Sequence, residues 1–203
     1  MSRPIAVAIT GGIGAGKSTA LAAFRRHGAA TVSSDEIVHH LLRSDPEVKT
    51  ALVERLGEDI LDERGIPDRE RIARRVFGDR EALDFLEKLL HPLVSREYLA
   101  WREQLAALPT PPKVCVTEVP LLYEVGADKR FDRVVVVTAP ATLREARRGG
   151  RKDDRESRLI QDREKVKRAD FVYVNTGTPE DLDAWVAEVM ATLTAEHPSN
   201  GSS

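Results

Sequence analysis

Apolar positions along this chain follow two patterns: short unbroken runs, and recurrences at three- and four-residue spacing. Residues 5–9 are apolar at every position and lead through Thr10 into glycines, which suits a strand buried on both faces of a parallel sheet. Residues 17–26 place Ala20, Leu21 and Phe24 on one face, predicting a helix that Gly28 ends; residues 29–32 then form a second short strand. From Asp35 to about Trp101 the pattern is helical and contains no strand. Leu41, Leu42, Val48, Leu52, Val53 and Leu56 recur at helical spacing, residues 57–67 read as turns, and a second helical block covers 72–77 and 83–90. The stretch exceeds any connecting loop and reads as a helical insertion flanking the sheet, over about 35–108.

Pro109, Pro111 and Pro112 break the helical pattern, and three further apolar runs follow at 114–117, 133–137 and 171–174. Val134, Val135, Val136 and Val137 are β-branched in succession, the composition of a strand covered on both sides. A last helix starts after Thr178 with Pro179 in its first turn. Leu182, Trp185, Val186, Val189, Met190 and Leu193 give it an apolar stripe. Residues 196–203 read as a disordered tail. Strands alternating with helices predict an α/β domain with a mostly parallel, doubly wound sheet, its core at 1–34 and 110–195.

Composition narrows the class without naming a chemistry. With 41% hydrophobic and 32% charged residues over 203 positions, the chain is globular rather than disordered. No stretch approaches the roughly 20 apolar residues that cross a bilayer, and no secretory leader is recognisable, so no membrane partner and a cytoplasmic location are expected. The 31 Lys and Arg nearly balance 33 Asp and Glu, which gives no reason to expect a nucleic-acid partner. Cys115 is the only cysteine, so a disulfide within the chain, a cysteine-based zinc site and a redox pair are all excluded. Between Val114 and Val116 it reads as a buried, inert thiol.

The sharpest chemical signal comes immediately after the first strand. Gly11, Gly12, Ile13, Gly14, Ala15, Gly16, Lys17 and Ser18 fit G-x-x-x-x-G-K-[ST] at every position and open a helix. Glycines there let successive backbone N–H groups turn toward phosphate oxygens, and the helix N-terminus adds partial positive charge. Lys17 can then reach the β- and γ-phosphates while the Ser18 hydroxyl takes a Mg²⁺ position. The motif specifies a nucleoside triphosphate with magnesium and nothing about the acceptor.

Three further constellations bear on the acceptor. Asp35 follows the second strand, where strand ends line the ligand crevice of such sheets; it either orients an attacking hydroxyl or caps the helix that begins at Glu36. Glu118 closes the third strand, as a magnesium-ordering carboxylate or as a surface residue. Residues 144–168 carry eight arginines, three lysines and six acids, with Gly149 and Gly150 among them. That segment suits a lid that closes over phosphates, although interspersed acids also fit a solvated helix face.

Taken together these residues resemble the dephospho-coenzyme A kinase family. The resemblance rests on Thr10 through Thr19, Asp35, the run Leu90, His91, Pro92, Leu93 and Val94, the run from Glu118 through Pro120, Leu121 and Leu122 to Glu124, the arginine-rich segment, and Ala169, Asp170, Asn175 and Gly177. It implies a three-layer P-loop NTP hydrolase fold with a five-stranded parallel sheet, a helical substrate-binding insertion and a basic lid. It implies that Gly12 to Thr19 hold the ATP phosphates, with Ser18 on Mg²⁺, and that Asn175 and Gly177 lie near adenine. Asp35 would activate the ribose 3′-hydroxyl of dephospho-coenzyme A, with Thr10, Glu118 and Leu121 on the acceptor side. His91 would lie in the region that receives this substrate, unless it caps a helix end. Arg147 and Arg151 would be the catalytic arginines, with Arg148 and Arg155 of the same segment as alternatives for the contact to the transferring phosphate.

Two departures qualify the resemblance. Ser33, Ser34 and Asp35 stand where the family usually has Asp-Ala-Asp, and Glu118 stands where Asp is commoner. Two other functions share the phosphate loop: a kinase for a nucleoside or nucleotide, and a nucleotide-dependent switch. Asp35 and arginines in the same chain argue against the switch, and no Asn-Lys-x-Asp guanine motif is present, which favours ATP.

Overall fold

The computed structural model describes residues 3–147, 149 and 159–196; Arg148, Arg151, Arg155 and the expected tail from 197 onward lie outside the described residues. Five strands, β1 (Ile5–Thr10), β2 (Ala30–Ser33), β3 (Val114–Glu118), β4 (Arg133–Thr138) and β5 (Phe171–Val174), pair in the order β2-β3-β1-β4-β5. Every pairing is parallel. The first strand is therefore central, and the chain winds to β2 and β3 on one side and to β4 and β5 on the other. That reversal opens a crevice at the C-terminal end of β1, where the glycines begin.

Alternation along the strands feeds two cores. Val7, Ile9, Val135 and Val137 face one side and pack against Phe24 of α1 (Lys17–Arg26) and Leu182, Val186 and Leu193 of α8 (Pro179–Glu196). Ala8, Val134 and Val136 face the other and pack with Leu122 and Tyr123. Fully buried side chains such as Phe24 and Leu182 each contribute about 1.5–3 kcal/mol. Two aspartates close the sheet at its opposite end. Asp132 accepts from the Ala6 amide at 2.8 Å and Asp170 from the Val134 amide at 2.7 Å, each residue standing just ahead of a strand and satisfying its neighbour's amide. Arg3, donating to both Asp132 oxygens at 2.7 Å, holds that carboxyl below its ordinary pKa. Cys115 is buried in β3, and desolvation pushes its thiol up to about 11.

The chain divides into two compact units, Ser34–Ala100 and the residues on either side of it. Within Ser34–Ala100 lie α2 (Ser34–Ser44), α3 (Pro46–Leu56), a 3₁₀ turn (Glu58–Ile60), α4 (Arg69–Val76) and most of α5 (Arg80–Ala106). Their core gathers Leu42, Val48, Leu52, Leu56, Ile60, Ile72, Val76 and Leu90. Asp45 caps α3, accepting from the Glu47 and Val48 amides, and Asp68 caps α4 through the Arg71 amide.

Several expectations change at element ends. The turns at 57–67 include an isolated antiparallel bridge between Leu61 and Pro67. The block expected at 83–90 is one end of a 27-residue helix that continues through Pro92. Proline removes the amide that would bond the Lys88 carbonyl, but the apolar periodicity carries on through Val94 and Tyr98, both buried. His91 is therefore mid-helix, and the helix-end cap is excluded. α2 begins at Ser34, so Asp35 lies inside the first turn and does not cap a helix starting at Glu36. The arginine-rich segment enters α6 (Ala141–Arg147) and returns in α7 (Asp162–Lys167). Lys165 is fully buried, with its ammonium 2.8 Å from Glu124, while Arg163, Lys167 and Arg168 beside it are exposed. Among the described residues no helix is long and apolar enough to cross a membrane.

Candidate active site

The glycine loop leaves β1 at Thr10, whose fully buried side chain donates to the Pro120 carbonyl at 3.2 Å. Gly11 has φ +143°, and a Cβ there would collide with the Val137 carbonyl of the adjacent strand. Gly16 precedes α1 at φ +102°, provides no side-chain cap, and a Cβ would collide with the Asn175 amide group. The opening amides of α1 have no intrahelical acceptor, while Ser18 and Thr19 beside them are exposed. Uncapped amides and two exposed hydroxyls at a helix N-terminus form an anion cradle. Lys17 is buried at the same place, its ammonium donating to the Gly12 carbonyl at 3.0 Å.

Residues distant in sequence hold this loop. Asn175, just after β5, takes the Thr138 carbonyl with its amide at 2.7 Å and donates from its side chain to the Ala15 carbonyl at 2.8 Å. Arg147, the last residue of α6, donates to the Asn175 carbonyl at 3.3 Å, its side-chain oxygen at 3.4 Å and the Gly14 carbonyl at 3.5 Å. The structure thus brings Ile13, Gly14, Ala15, Lys17, Asn175 and Arg147 into one site. Gly177 stands two residues beyond Asn175, exposed, in the turn that Thr178 and Asp181 close by reciprocal capping bonds at 2.8–3.2 Å.

Sequence reasoning missed two residues here. A Cβ at Gly12 would meet Arg144 Nη1 at 2.5 Å and Asp162 Oδ2 at 3.1 Å, so both charged groups stand directly over the loop. Asp162 is itself held by the Thr138 hydroxyl, which donates at 2.7 Å. Arg144 had a faint signal, one turn ahead of Arg147; Asp162 had none, because only α7 brings it back over β4.

Glu118, at the end of β3, is 8% exposed and registers with Ile9 and Ser33, so it is not a surface residue. The Val119 amide after it donates to the Ile9 carbonyl, turning the chain past β1 into the half-buried Leu121. Ser18 exposed on the first turn of α1 and Glu118 buried at a neighbouring strand end are the donor types that Mg²⁺ takes, a hydroxyl and a carboxylate.

Asp35 and His91 belong to Ser34–Ala100. Asp35 is exposed in the first turn of α2, and Arg69 at the start of α4 donates to its Oδ1 at 3.2 Å. Nothing in the sequence marks Arg69 as its partner, 34 positions away. His91 is half-buried in α5, and desolvation lowers its pKa below the ordinary value, so it is neutral at pH 7; the Glu87 charge opposes that shift only in part.

Comparison with known proteins agrees along the length of the chain. The sequence profile of the family described as dephospho-CoA kinase matches residues 5–181. A dephospho-CoA kinase of Brucella melitensis is 35% identical over 201 residues, covering 95% of this chain and 96% of the relative. One from Protochlamydia amoebophila is 38% identical over 198 residues, covering 92% and 95%. Among solved structures, a Thermus thermophilus protein superposes with a TM-score of 0.69 at 35% identity, over 94% of this chain and 98% of that one. A dephospho-CoA kinase from Campylobacter jejuni, at 24% identity and TM-score 0.65 over 93% and 96%, shares the fold.

Proposed function

This chain belongs to the dephospho-CoA kinase family, and on that premise we propose that it transfers the γ-phosphate of ATP to the ribose 3′-hydroxyl of dephospho-coenzyme A. The products are coenzyme A and ADP, and the location that fits them is the cytoplasm. The family match over residues 5–181 carries the acceptor, and the loop from Gly12 to Thr19, with Lys17 buried in it and Asn175 and Arg147 bonded to its carbonyls, supports the nucleotide half of the reading. The loop is built for a polyphosphate before any ligand arrives.

The transfer passes through a loose transition state, so catalysis is positioning and charge stabilisation. The amides of residues 12–19 surround the β- and γ-phosphate oxygens. Lys17 leaves the Gly12 carbonyl for those oxygens, a short movement within the same loop. Arg144 and Arg147 flank the loop from α6 and offset the charge spreading over the transferred group; Arg151 continues the same segment. Asn175 and Gly177 border the adenine side. Ser18 would hold Mg²⁺, with Glu118 toward its water shell; the ion, when bound, neutralises phosphate charge. Asp35, paired with Arg69, orients the 3′-hydroxyl and takes its proton. Thr10, Leu121 and His91 contribute to the acceptor side, His91 as a neutral donor or acceptor. The helices of the insertion form the acceptor-binding part.

Purified protein with Mg²⁺·ATP should release ADP only when dephospho-coenzyme A is present, and the product should gain one phosphate at the 3′ position. ADP release unaffected by that acceptor, or larger with adenosine, would reject the reading in favour of a switch or a nucleoside kinase.

A further inference from the structure

A cavity of about 300 Å³ opens within Ser34–Ala100, between α2, the loop around the Leu61–Pro67 bridge, and the start of α4. Leu42, Ile66 and Pro67 make its apolar part. Arg43, Arg64 and Arg69 enter it from three separate stretches of chain. Asp62, Asp68 and Glu70 line it too, so arginines and acids are equal in number, and what distinguishes them is which groups are already engaged.

Asp62 turns back on the main chain: its Oδ1 accepts from the Arg64 amide at 2.9 Å and the Ile66 amide at 2.8 Å. Those bonds, the Ile66 one foremost, hold the carboxyl below its ordinary pKa. Asp68 is engaged as the α4 cap, accepting from the Arg71 amide at 2.8 Å. Two of the three acids therefore turn one oxygen, Oδ1, toward backbone N–H groups, and both keep their charge. The Arg43 and Arg64 guanidinium groups make no hydrogen bond or close ion pair among the described residues, although the Arg64 charge also helps hold the Asp62 carboxyl low. Arg69 bonds Asp35 through one terminal nitrogen, at 3.2 Å, while lining the same cavity.

We propose that this cavity binds the anionic diphosphate of the acceptor, and that Arg69 ties the bound diphosphate to the placement of Asp35. The proposal rests on the acceptor assigned above and deepens it. In that acceptor the 5′-diphosphate and the reacting 3′-hydroxyl hang from one ribose, so a carboxylate aimed at the hydroxyl needs a cation for the diphosphate about one sugar away. The guanidinium beside Asp35 meets that requirement. Its planar fork presents N–H groups in two directions at once, one pair toward a carboxylate and the other toward a phosphate oxygen. Arg43 and Arg64 supply the remaining charge. Acceptors without a diphosphate gain nothing from this cavity, which makes it a determinant of specificity.

The test compares steady-state kinetics of the full chain with R43Q/R64Q, R69Q and R69K, varying dephospho-coenzyme A and ATP separately. Charge-assisted hydrogen bonds of about 1.5–3 kcal/mol each correspond to roughly ten- to hundredfold. R43Q/R64Q should raise KM for dephospho-coenzyme A by that factor, with the loss in KM rather than kcat and with KM for ATP unmoved. Its apparent affinity should also lose most of the wild type's salt dependence. R69Q should raise the same KM and lower kcat as well, and R69K should recover affinity, through charge, more than kcat, through geometry. Arg43 and Arg64 are exposed, so a thermal melt matching wild type checks that the fold survives. Wild type that phosphorylates dephospho-coenzyme A while R43Q/R64Q keeps its KM and salt dependence would overturn the cavity's role and leave the function intact. Wild type that ignores this acceptor would overturn the function, and the cavity assignment with it.

Discussion

At the scale of single residues, the two assignments on which the chemistry turns are Lys17 and Asp35, and they differ in how much the surroundings decide. Lys17 is buried against the loop it serves, so its place is set before ligand binds. Lys17→Met should lower kcat by about 10²–10³, the usual cost of one charge-stabilising donor. Asp35 is exposed and steered by a single ion pair. Asp35→Asn keeps the shape but not the proton acceptor and should lower kcat by about 10²–10⁴. Neither variant should move the thermal midpoint appreciably, and one that keeps near-full activity loses its assigned role. Cys115 tests burial instead. A folded thiol pKa of about 11 lies above the unfolded value of roughly 8.5. Between those pH values the unfolded chain has released a proton that the folded chain retains, so stability declines as pH rises through the window. Urea midpoints from pH 8 to 10.5 should fall more steeply for wild type than for Cys115→Ala. A thiol reagent should label Cys115 only after denaturant is added.

At the scale of elements, the glycine loop is a joint product of three segments. Its strand, its glycines and α1 are contiguous and were readable as a motif, but its conformation is fastened by Asn175 after β5 and Arg147 from α6. Asn175→Ala removes the donor to the Ala15 carbonyl. KM for ATP should then rise by roughly tenfold, the equivalent of about 1.4 kcal/mol. Titration of a fluorescent ATP analogue would measure it, and unchanged affinity would reduce Asn175 to a spacer. α5 teaches a related lesson. The apolar pattern suggested a block ending at Leu90, yet one missing hydrogen bond costs less than exposing Val94 and Tyr98, so the helix runs on through Pro92.

At the scale of the whole molecule, the packed end of the basic segment is held by the ion pair of Lys165 with Glu124, which also accepts from the Ile160 amide at 2.9 Å. The ammonium lies close to the carboxylate without hydrogen-bond alignment, which makes the contact chiefly one of charge. Removing one partner of a buried pair strands the other, at about 3–5 kcal/mol. Lys165→Met should lower the thermal midpoint by roughly 6–20 °C for a chain of this size. Adding Glu124→Gln, which still accepts from Ile160, should restore most of the loss. A Lys165→Met melt at the wild-type temperature would mean that the pair contributes no stability.

Much of this protein is local in origin. The valine run of β4, the apolar strand before the glycines, the stripe of α8 and the G-x-x-x-x-G-K-[ST] spacing each express a backbone preference or a burial period within a few residues, so they were legible in the sequence. So was the alternation of strands and helices that fixes a parallel sheet. The tertiary structure alone decided which side chains from distant segments share a place: Asp162 and Arg144 over Gly12, Arg69 on Asp35, and Lys165 buried on Glu124 rather than spread in a basic flap. Those pairings carry no period and no motif. They exist because the winding of the sheet and the packing of helices bring separate segments together, where charges that look alike in sequence become a buried anchor, a neighbour of the glycine loop or a solvated side chain.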